Sequence, residues 1–459
     1  MDASPPLLRR SLGPLAITAQ AIGTIGLTIT AVINIPQAFQ LAGSATWIAY
    51  ALATVAVLLI SETLVLFRHE PAQANGIAGY VQAGLGPRAG ALATWALLLG
   101  YGGTMLACLT FFGFYLELFA HQVGLATLPA SGFLLGGLGC LELARRDVKL
   151  STTTMLFTEA LSVLIVLGLC VAVIHHGGWN TGVSGIGLSN LGLSGGDTAV
   201  LPRPHPFQVS QIQGGLMIAV LSFIGFESAA NLGQEARRPE RSVPRALRVA
   251  VLIAGVLFLV WAVILGEGLS WLPEAQRMAL DPITLLANRL GLPSAGAWIA
   301  AGAFLCLFGS SLGSLTALGR VCFNLAQVGI LPRGLAAVHP RFGTPAAALV
   351  STALPLIALG SVLLLKGITA SQAYTTLGGF SVLGFLLVYG LVALASLRRP
   401  LQGCSRRRRW LVGSCCLVAV SAVAIGYLSG LMAQQIAVVF SFGLLMAMGW
   451  LRVHQTQTP

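Results

Sequence analysis

Two short segments carry the residues of this chain best suited to chemistry. One is Gly23-Thr24-Ile25-Gly26-Leu27-Thr28, inside the first long apolar run. The other is Ser222-Phe223-Ile224-Gly225-Phe226-Glu227, at the end of an apolar run that starts near Gly214, and it sets a carboxylate beside a glycine. Glycine weakens an apolar helix and frees backbone groups from their helical partners. Freed N–H groups at the start of a half-helix suit a carboxylate, while freed carbonyls at the end of another suit an ammonium or a cation. Such a break at bilayer depth is expensive unless it lines a site. The chemistry on offer is recognition of a small ion or zwitterion by Gly23, Thr24, Ile25 and Gly26 on one side and Phe223, Ile224, Gly225 and Phe226 on the other. The bland reading is that glycines let membrane helices pack closely, which suffices for Gly302-Ala303 and Gly378-Gly379.

The elements that must position these segments are membrane helices. The 459 residues are 56% hydrophobic and 9% charged, with a mean hydropathy of +0.84, whereas a soluble domain carries about 25% charge. Runs of about 20 apolar residues give twelve predicted spans, near 12–36, 44–67, 89–119, 126–143, 151–174, 212–232, 246–268, 294–320, 345–365, 371–397, 410–430 and 434–451. A short amphipathic helix is expected over 282–290, and no cleavable signal peptide precedes the first span. With the N-terminus cytoplasmic and strict alternation, 22 of the 26 Lys and Arg fall on the cytoplasmic side, and only Arg203, Arg277, Arg289 and Lys366 fall opposite. That asymmetry supports the helix count and both termini inside. It also explains the +12 net charge as topology and makes nucleic acid a poor partner.

Helices 1 and 6 each open a group of five, and five is odd, so the second group enters with inverted orientation. The expected division is a cytoplasmic N-terminus over 1–11, a first five-helix repeat over 12–174, an extracytoplasmic loop over 175–211, a second, inverted repeat over 212–397, and helices 11 and 12 with the tail over 398–459. Interrupted helices in corresponding places of two inverted halves point to a transport site at the midplane. A zwitterionic amino acid would fit both kinds of freed backbone at once.

The residues at this point resemble a family. Gly225-Phe226-Glu227-Ser228, Glu235, Arg238-Pro239-Glu240-Arg241 and Pro244-Arg245-Ala246 are similar to the sixth-helix signature of the amino acid–polyamine–organocation (APC) superfamily. Asn75-Gly76-Ile77-Ala78-Gly79-Tyr80 with Gly86-Pro87-Arg88 resembles its first cytoplasmic loop, although Ile77-Ala78 departs from the usual double glycine. Gly313-Ser314, Arg320, Gly329-Ile330-Leu331-Pro332, His339-Pro340 and Gly343-Thr344-Pro345 resemble its eighth helix and the loop that follows. The resemblance implies an all-α polytopic membrane protein of the LeuT type, with two inverted five-helix repeats plus two peripheral helices, acting as a secondary transporter of amino acids or related amines. It implies that the substrate carboxylate meets amides from Gly23 to Gly26, that its amino group meets carbonyls from Phe223 to Phe226, and that the Phe223 and Phe226 side chains gate or line the pocket.

Coupling has two candidate routes. Relatives that work with protons or without an ion often carry a lysine in helix 5, where this chain has Ser162. Sodium would sit between helix 1 carbonyls near Ile22 to Ile25 and the hydroxyls of Ser310, Ser311 or Ser314, with Ser162 adding an oxygen. Alternatively Glu159 or Glu227 carries a proton. The bland reading of the serines is bonding to the backbone of their own helix, and of Glu227 a bond that ties down the broken helix. Glu142 beside Arg145 and Arg146 reads as an interfacial pair, as does Glu117 near the outer end of helix 3, and Glu62 as a cytoplasmic-gate pair. The pocket segments contain no Lys or Arg, so neutral amino acids are the first expectation and cationic ones or polyamines the second. No bound cofactor is expected beyond co-transported H⁺ or Na⁺, and no metal site: the eight cysteines form no CxxC, and the seven histidines lie in loops or tails. No clustered catalytic residues suggest an enzyme, and no repeated filter suggests a channel. A binder that has lost coupling stays open, and the sequence does not carry the oligomeric state.

Overall fold

The computed structural model describes residues 8, 10–70, 76–126, 130–177, 209–429 and 433–457. Most of the N-terminal segment, Asn75 and residues 178–208 of the long loop lie outside the described residues. In chain order the helices are α1 (Pro14–Ile25), α2 (Leu27–Ile29), a π-helical turn (Thr30–Asn34), α3 (Ile35–Ala42), α4 (Thr46–Val65), α5 (Gly76–Leu85), α6 (Pro87–Gln122), α7 (Ser131–Arg146) and α8 (Val148–Gly177). There follow α9 (Val209–Leu221), α10 (Ser228–Asn231), α11 (Pro239–Ser270), α12 (Glu274–Arg277), α13 (Pro282–Arg289), α14 (Ala295–Gln327), α15 (Ala346–Leu365), α16 (Ala370–Arg398), α17 (Arg406–Ser429) and α18 (Ala433–Gln457). Among the described residues the one non-helical pairing is a bridge between Leu12 and Ala236.

Nine helices among the described residues are long and apolar enough to cross a membrane. One of them, Pro14–Val65, is 52 residues, about 78 Å at 1.5 Å per residue, and so holds two passes of about 30 Å. The two remaining crossings are not long helices. α7 has 16 residues, and the sixth crossing is split between α9 and α10 with a turn between them. The chain is therefore an integral, multi-pass helical membrane protein, and among the described residues twelve segments are placed to cross. Apolar side chains also cover its outer surface, with Phe157 67% exposed and Phe440 76% exposed, which suits a surface solvated by lipid rather than water.

Several boundaries move from the sequence expectation. α11 starts at Pro239, whose ring suits a first helical turn, and α14 continues past Arg320 to Gln327. Residues 76–85, expected as loop, form the buried helix α5, with Tyr80 stacked on Phe67 at 5.0 Å. Gly76 lies at φ 65 against α10, where a Cβ would stand 2.6 Å from Asn231 Oδ1. Around the breaks, α6 packs on α14 and α16, α14 on α8, and α4 on α9 and α11. Elements from both ends of the chain thus enclose the interrupted segments.

Candidate functional site

The first break is a single residue. α1 ends because Gly26 adopts φ 69, ψ 75, a left-handed conformation that glycine enters without Cβ strain, and its N–H still reaches Ile22 O at 3.1 Å. The groups freed beyond it find side-chain partners. Leu27 N–H donates to Glu159 Oε1 at 2.5 Å, and Ser310 Oγ donates to the Thr24 carbonyl at 2.8 Å. Thr28 Oγ1 donates to Ser162 Oγ at 3.0 Å, and Ser162 Oγ donates to the Glu159 carbonyl at 2.9 Å. Gly23 is not part of the break. It sits inside α1, where a Cβ would stand 2.7 Å from Met155 Cβ, so it lets α1 approach α8.

The second break is wider. α9 stops at Leu221, residues 222–227 form turns, and Gly225 adopts φ 116. Glu227, fully buried, bonds the backbone of this turn to two neighbouring helices. Its Oε2 accepts from Gly225 N–H at 2.9 Å and from Tyr389 Oη at 2.8 Å, and its Oε1 accepts from Tyr101 Oη at 3.0 Å. Asn231 Nδ2 donates in turn to Tyr101 Oη at 2.9 Å. The two breaks touch: a Cβ on Gly225 would lie 2.6 Å from the Thr24 carbonyl carbon and 2.8 Å from Ile25 N. The Ser228 hydroxyl lies 3.0 Å from Thr24 Oγ1.

A cavity of about 160 Å³ adjoins this junction. Of the residues named from the sequence, Thr24, Ile25, Ser222, Ile224, Ser310, Gly378 and Gly379 stand in its wall. Gly23, Gly26, Gly225, Glu159, Ser162, Glu227, Ser311 and Ser314 do not. The expectation that Phe223 and Phe226 line the pocket is corrected. The turn directs Phe223 onto Phe258 of α11, with ring centroids 4.9 Å apart, and Phe226 toward Tyr389 of α16 at 6.1 Å. Both are buried, and their bulk fills space behind the interrupted helix. Sequence reasoning missed Cys108 and Thr104 on α6, Met217 on α9, Tyr374 and Ser381 on α16 and Tyr427 on α17, all in the wall. Thr104 and Ser381 carried a faint signal, hydroxyls deep in apolar spans, and they bond each other at 2.5 Å. Tyr101 and Tyr389 carried a better one, because a buried tyrosine hydroxyl wants a partner.

The hydroxyls expected around a sodium ion mostly donate their protons to backbone carbonyls, which leaves oxygen lone pairs on them. Ser310 and Ser162 bond as described, Ser311 Oγ donates to Leu307 O of its own helix at 2.7 Å, and Ser314 is buried with no partner among the described residues. The cavity extends past Asn34, Gln37 and Thr375, away from the arginine-rich side. Toward that side the core is sealed. Arg320, expected at a helix end, is instead buried and pairs with buried Glu235 through two bonds, Nε to Oε2 at 3.0 Å and Nη2 to Oε1 at 2.9 Å. The Glu235 carbonyl accepts from Ser11 N–H and Leu12 N–H at 3.0 Å each, and Arg237 N–H donates to Leu12 O at 3.0 Å. Glu62 pairs with Arg248 and Arg408, and Glu142 pairs with Arg145 and Arg146 at the helix end.

Comparison with known proteins agrees with this architecture. An uncharacterized transporter of Mycobacterium tuberculosis is 28% identical over 434 residues, covering 92% of this chain and 89% of that protein. The human cationic amino acid transporter 4 is 26% identical over 84% of this chain and 59% of its own length. A branched-chain amino acid permease of Bacillus subtilis is 23% identical over 74% of this chain and 71% of its own. The family model described as amino acid permease matches residues 16–443. With that match spanning both interrupted helices and the cavity between them, the chain belongs to the amino acid permease family of the APC superfamily, a family of transporters and not of enzymes.

Proposed function

We propose that this protein moves neutral amino acids with apolar side chains across the cell membrane by alternating access, driven by protons, with both termini cytoplasmic. The observation that carries the substrate class is the cavity wall. Among its described residues there is no Asp, Glu, Lys, Arg or His, and Ile25, Ile29, Ala107, Met217, Leu221 and Val382 make much of it apolar. A cationic side chain would meet no carboxylate there and a dicarboxylate no second cation, and either would leave a charge desolvated. The polar ends of the substrate fall to the backbone between Thr24 and Ile29 and to Ile224 at the second break. Two five-helix halves, 12–174 and 212–397, carry one break each. Protons are taken as the coupling ion because a buried carboxylate, Glu159, stands at the break with its Oε1 on the Leu27 amide.

Reconstitution tests the reading. Proteoliposomes loaded with buffer should accumulate a labelled neutral amino acid, such as leucine, when the outside is more acidic. Replacing Na⁺ by choline should leave uptake unchanged. Uptake of arginine but of no neutral amino acid would refute the substrate class, and uptake that stops without Na⁺ would refute the coupling ion.

A further inference from the structure

A helix that restarts after a break offers its first amides to an anion. In this chain the site is already filled from within. Glu159 Oε1 accepts from Leu27 N–H, and the amide of Thr28 and the Cys306 thiol also reach this carboxyl. The side chain is 2% exposed, and its second oxygen, Oε2, has no hydrogen-bond partner among the described residues. The cavity wall includes Thr24 and Ile25 before the break and Ile29 after it, yet omits Gly26, Leu27 and Thr28 between them. Glu159 stands over that omitted backbone.

Among the described residues no cation balances this carboxylate. Residues 14–42 contain no ionisable side chain. α14 presents Cys306 to it, while Arg320 on the same helix is paired with Glu235. On α7, Cys140 is turned to Phe308 O and Glu142 to Arg145 and Arg146. On α11, Arg248 is paired with Glu62, and Glu267 accepts from Trp271 Nε1. What remains is the partial positive charge of the helix start, which can satisfy one carboxylate at a time.

We infer that Glu159 is a resident anion on the amides that receive the substrate's carboxylate, and that a proton on Glu159 is what vacates them. The inference rests on the amino acid transport reading above and supplies its coupling step. In the empty protein the Glu159 carboxylate holds the Leu27 and Thr28 amides. A proton entering through the open side binds Glu159, and the neutral acid gives up the amides. The incoming amino acid's carboxylate takes its place, so the helix start faces one anion at every stage. When the substrate leaves on the other side, Glu159 releases its proton there and recovers the amides. Proton and substrate then strengthen each other's binding reciprocally.

The test uses purified full-length protein and two probes, L-leucine and 3-methylbutylamine, which is leucine without its carboxylate. Calorimetric titrations run from about pH 5 to about pH 9. Binding that takes up one proton weakens as pH rises, so leucine Kd should climb by up to about tenfold per pH unit over part of that range. The amine should not share that slope, and Glu159→Gln should flatten it for leucine. A leucine Kd independent of pH, the same slope for the amine, or a wild-type slope in Glu159→Gln would each overturn the inference while leaving transport standing. If the variant does not fold, the wild-type comparison of leucine with its amine decides alone. Failure of every neutral amino acid to bind at any pH would refute the transport reading and this inference with it.

Discussion

Replacing Gly225 by alanine should disable the protein more severely than any other loss or gain of one methyl group near the cavity. Two costs coincide there. At φ 116 an L side chain is strained, by about 1–3 kcal/mol. The new Cβ would also lie 2.6 Å, 2.7 Å and 2.8 Å from the Thr24 carbonyl carbon, its oxygen and Ile25 N. Those neighbours are backbone and cannot rotate away. Restoring a contact of about 3.5 Å would push the two broken segments apart by roughly an ångström, and overpacking of this kind costs a further ~1–3 kcal/mol. The total is about 2–6 kcal/mol, enough to disturb the Ser310 bond to the Thr24 carbonyl and the Gly225 bond to Glu227. Gly378 is the control. It also borders the cavity, but a Cβ there meets nothing within 4 Å. Gly378→Ala should keep or raise thermal stability, because alanine favours a helix interior by up to about 1 kcal/mol, and should only narrow the range of substrates taken up. The measurements are thermal unfolding in detergent and initial uptake rates in proteoliposomes. Wild-type stability and uptake in Gly225→Ala would refute the claim that the two breaks bear on each other.

Other substitutions probe the supports of the site. Glu227→Gln turns an acceptor of three donors into a group whose amide nitrogen faces one of them, so about 1–3 kcal/mol of stability should be lost, with smaller losses for Tyr389→Phe and Tyr101→Phe, read by thermal unfolding. Removing either Glu235 or Arg320 strands its buried partner and should cost about 3–5 kcal/mol, while Glu235→Leu with Arg320→Met should recover most of it; a double variant as unstable as the singles would contradict the assignment. Burial pushes the Asp281 carboxyl above its ordinary value, so the folded state holds that proton more tightly than the unfolded chain, and ionisation of Asp281 destabilises it as pH rises through the interval between the two. Asp281→Asn can still accept from Thr284 N–H and should raise the melting temperature at neutral pH but not in acid; a gain equal at all pH values would count against this account.

The fold was legible because membrane topology is written in composition. Length of apolar runs and placement of arginine are enough for twelve crossings, since the bilayer allows few alternatives. The places where the reading slipped have local causes. Arg320 looks like a loop arginine in a list of charges, and only its pairing with Glu235 across the fold makes burial tolerable. Residues 76–85 read as loop because three glycines and a short length hide a helix that packing stabilises. The site was half legible. Gly26 and Gly225 are flagged by residue type, which brings out the right segments but not the right glycine within them. Gly23, identical in type and three residues away, is a packing glycine, and nothing short of the Met155 side chain tells them apart. Phe223 and Phe226 failed for a similar reason: a turn has no fixed period, so the direction of its side chains does not follow from spacing.

The two buried acids beside the breaks show how identical chemistry is divided by surroundings. Glu227 follows its glycine by two residues and is surrounded by donors: a backbone N–H from its own turn and a tyrosine hydroxyl from each of α6 and α16. Both oxygens are occupied, so moving it would strand three donors in the core at about 1–3 kcal/mol each. That is the environment of a structural tie. Glu159 comes from another helix, reaches the amides of the first break, and leaves one oxygen with no partner among the described residues. The amides of Leu27 and Thr28 and the Cys306 thiol hold it, and an incoming carboxylate can reproduce the amide contacts. A group whose bonds can be replaced by the ligand's own suits a moving part, and a group whose bonds cannot be replaced suits a fixed one. On this reasoning the pH dependence of substrate binding should follow Glu159, and Glu227→Gln should leave that dependence in place even where it lowers stability. A pH slope abolished by Glu227→Gln in folded protein would reverse the assignment of the two roles.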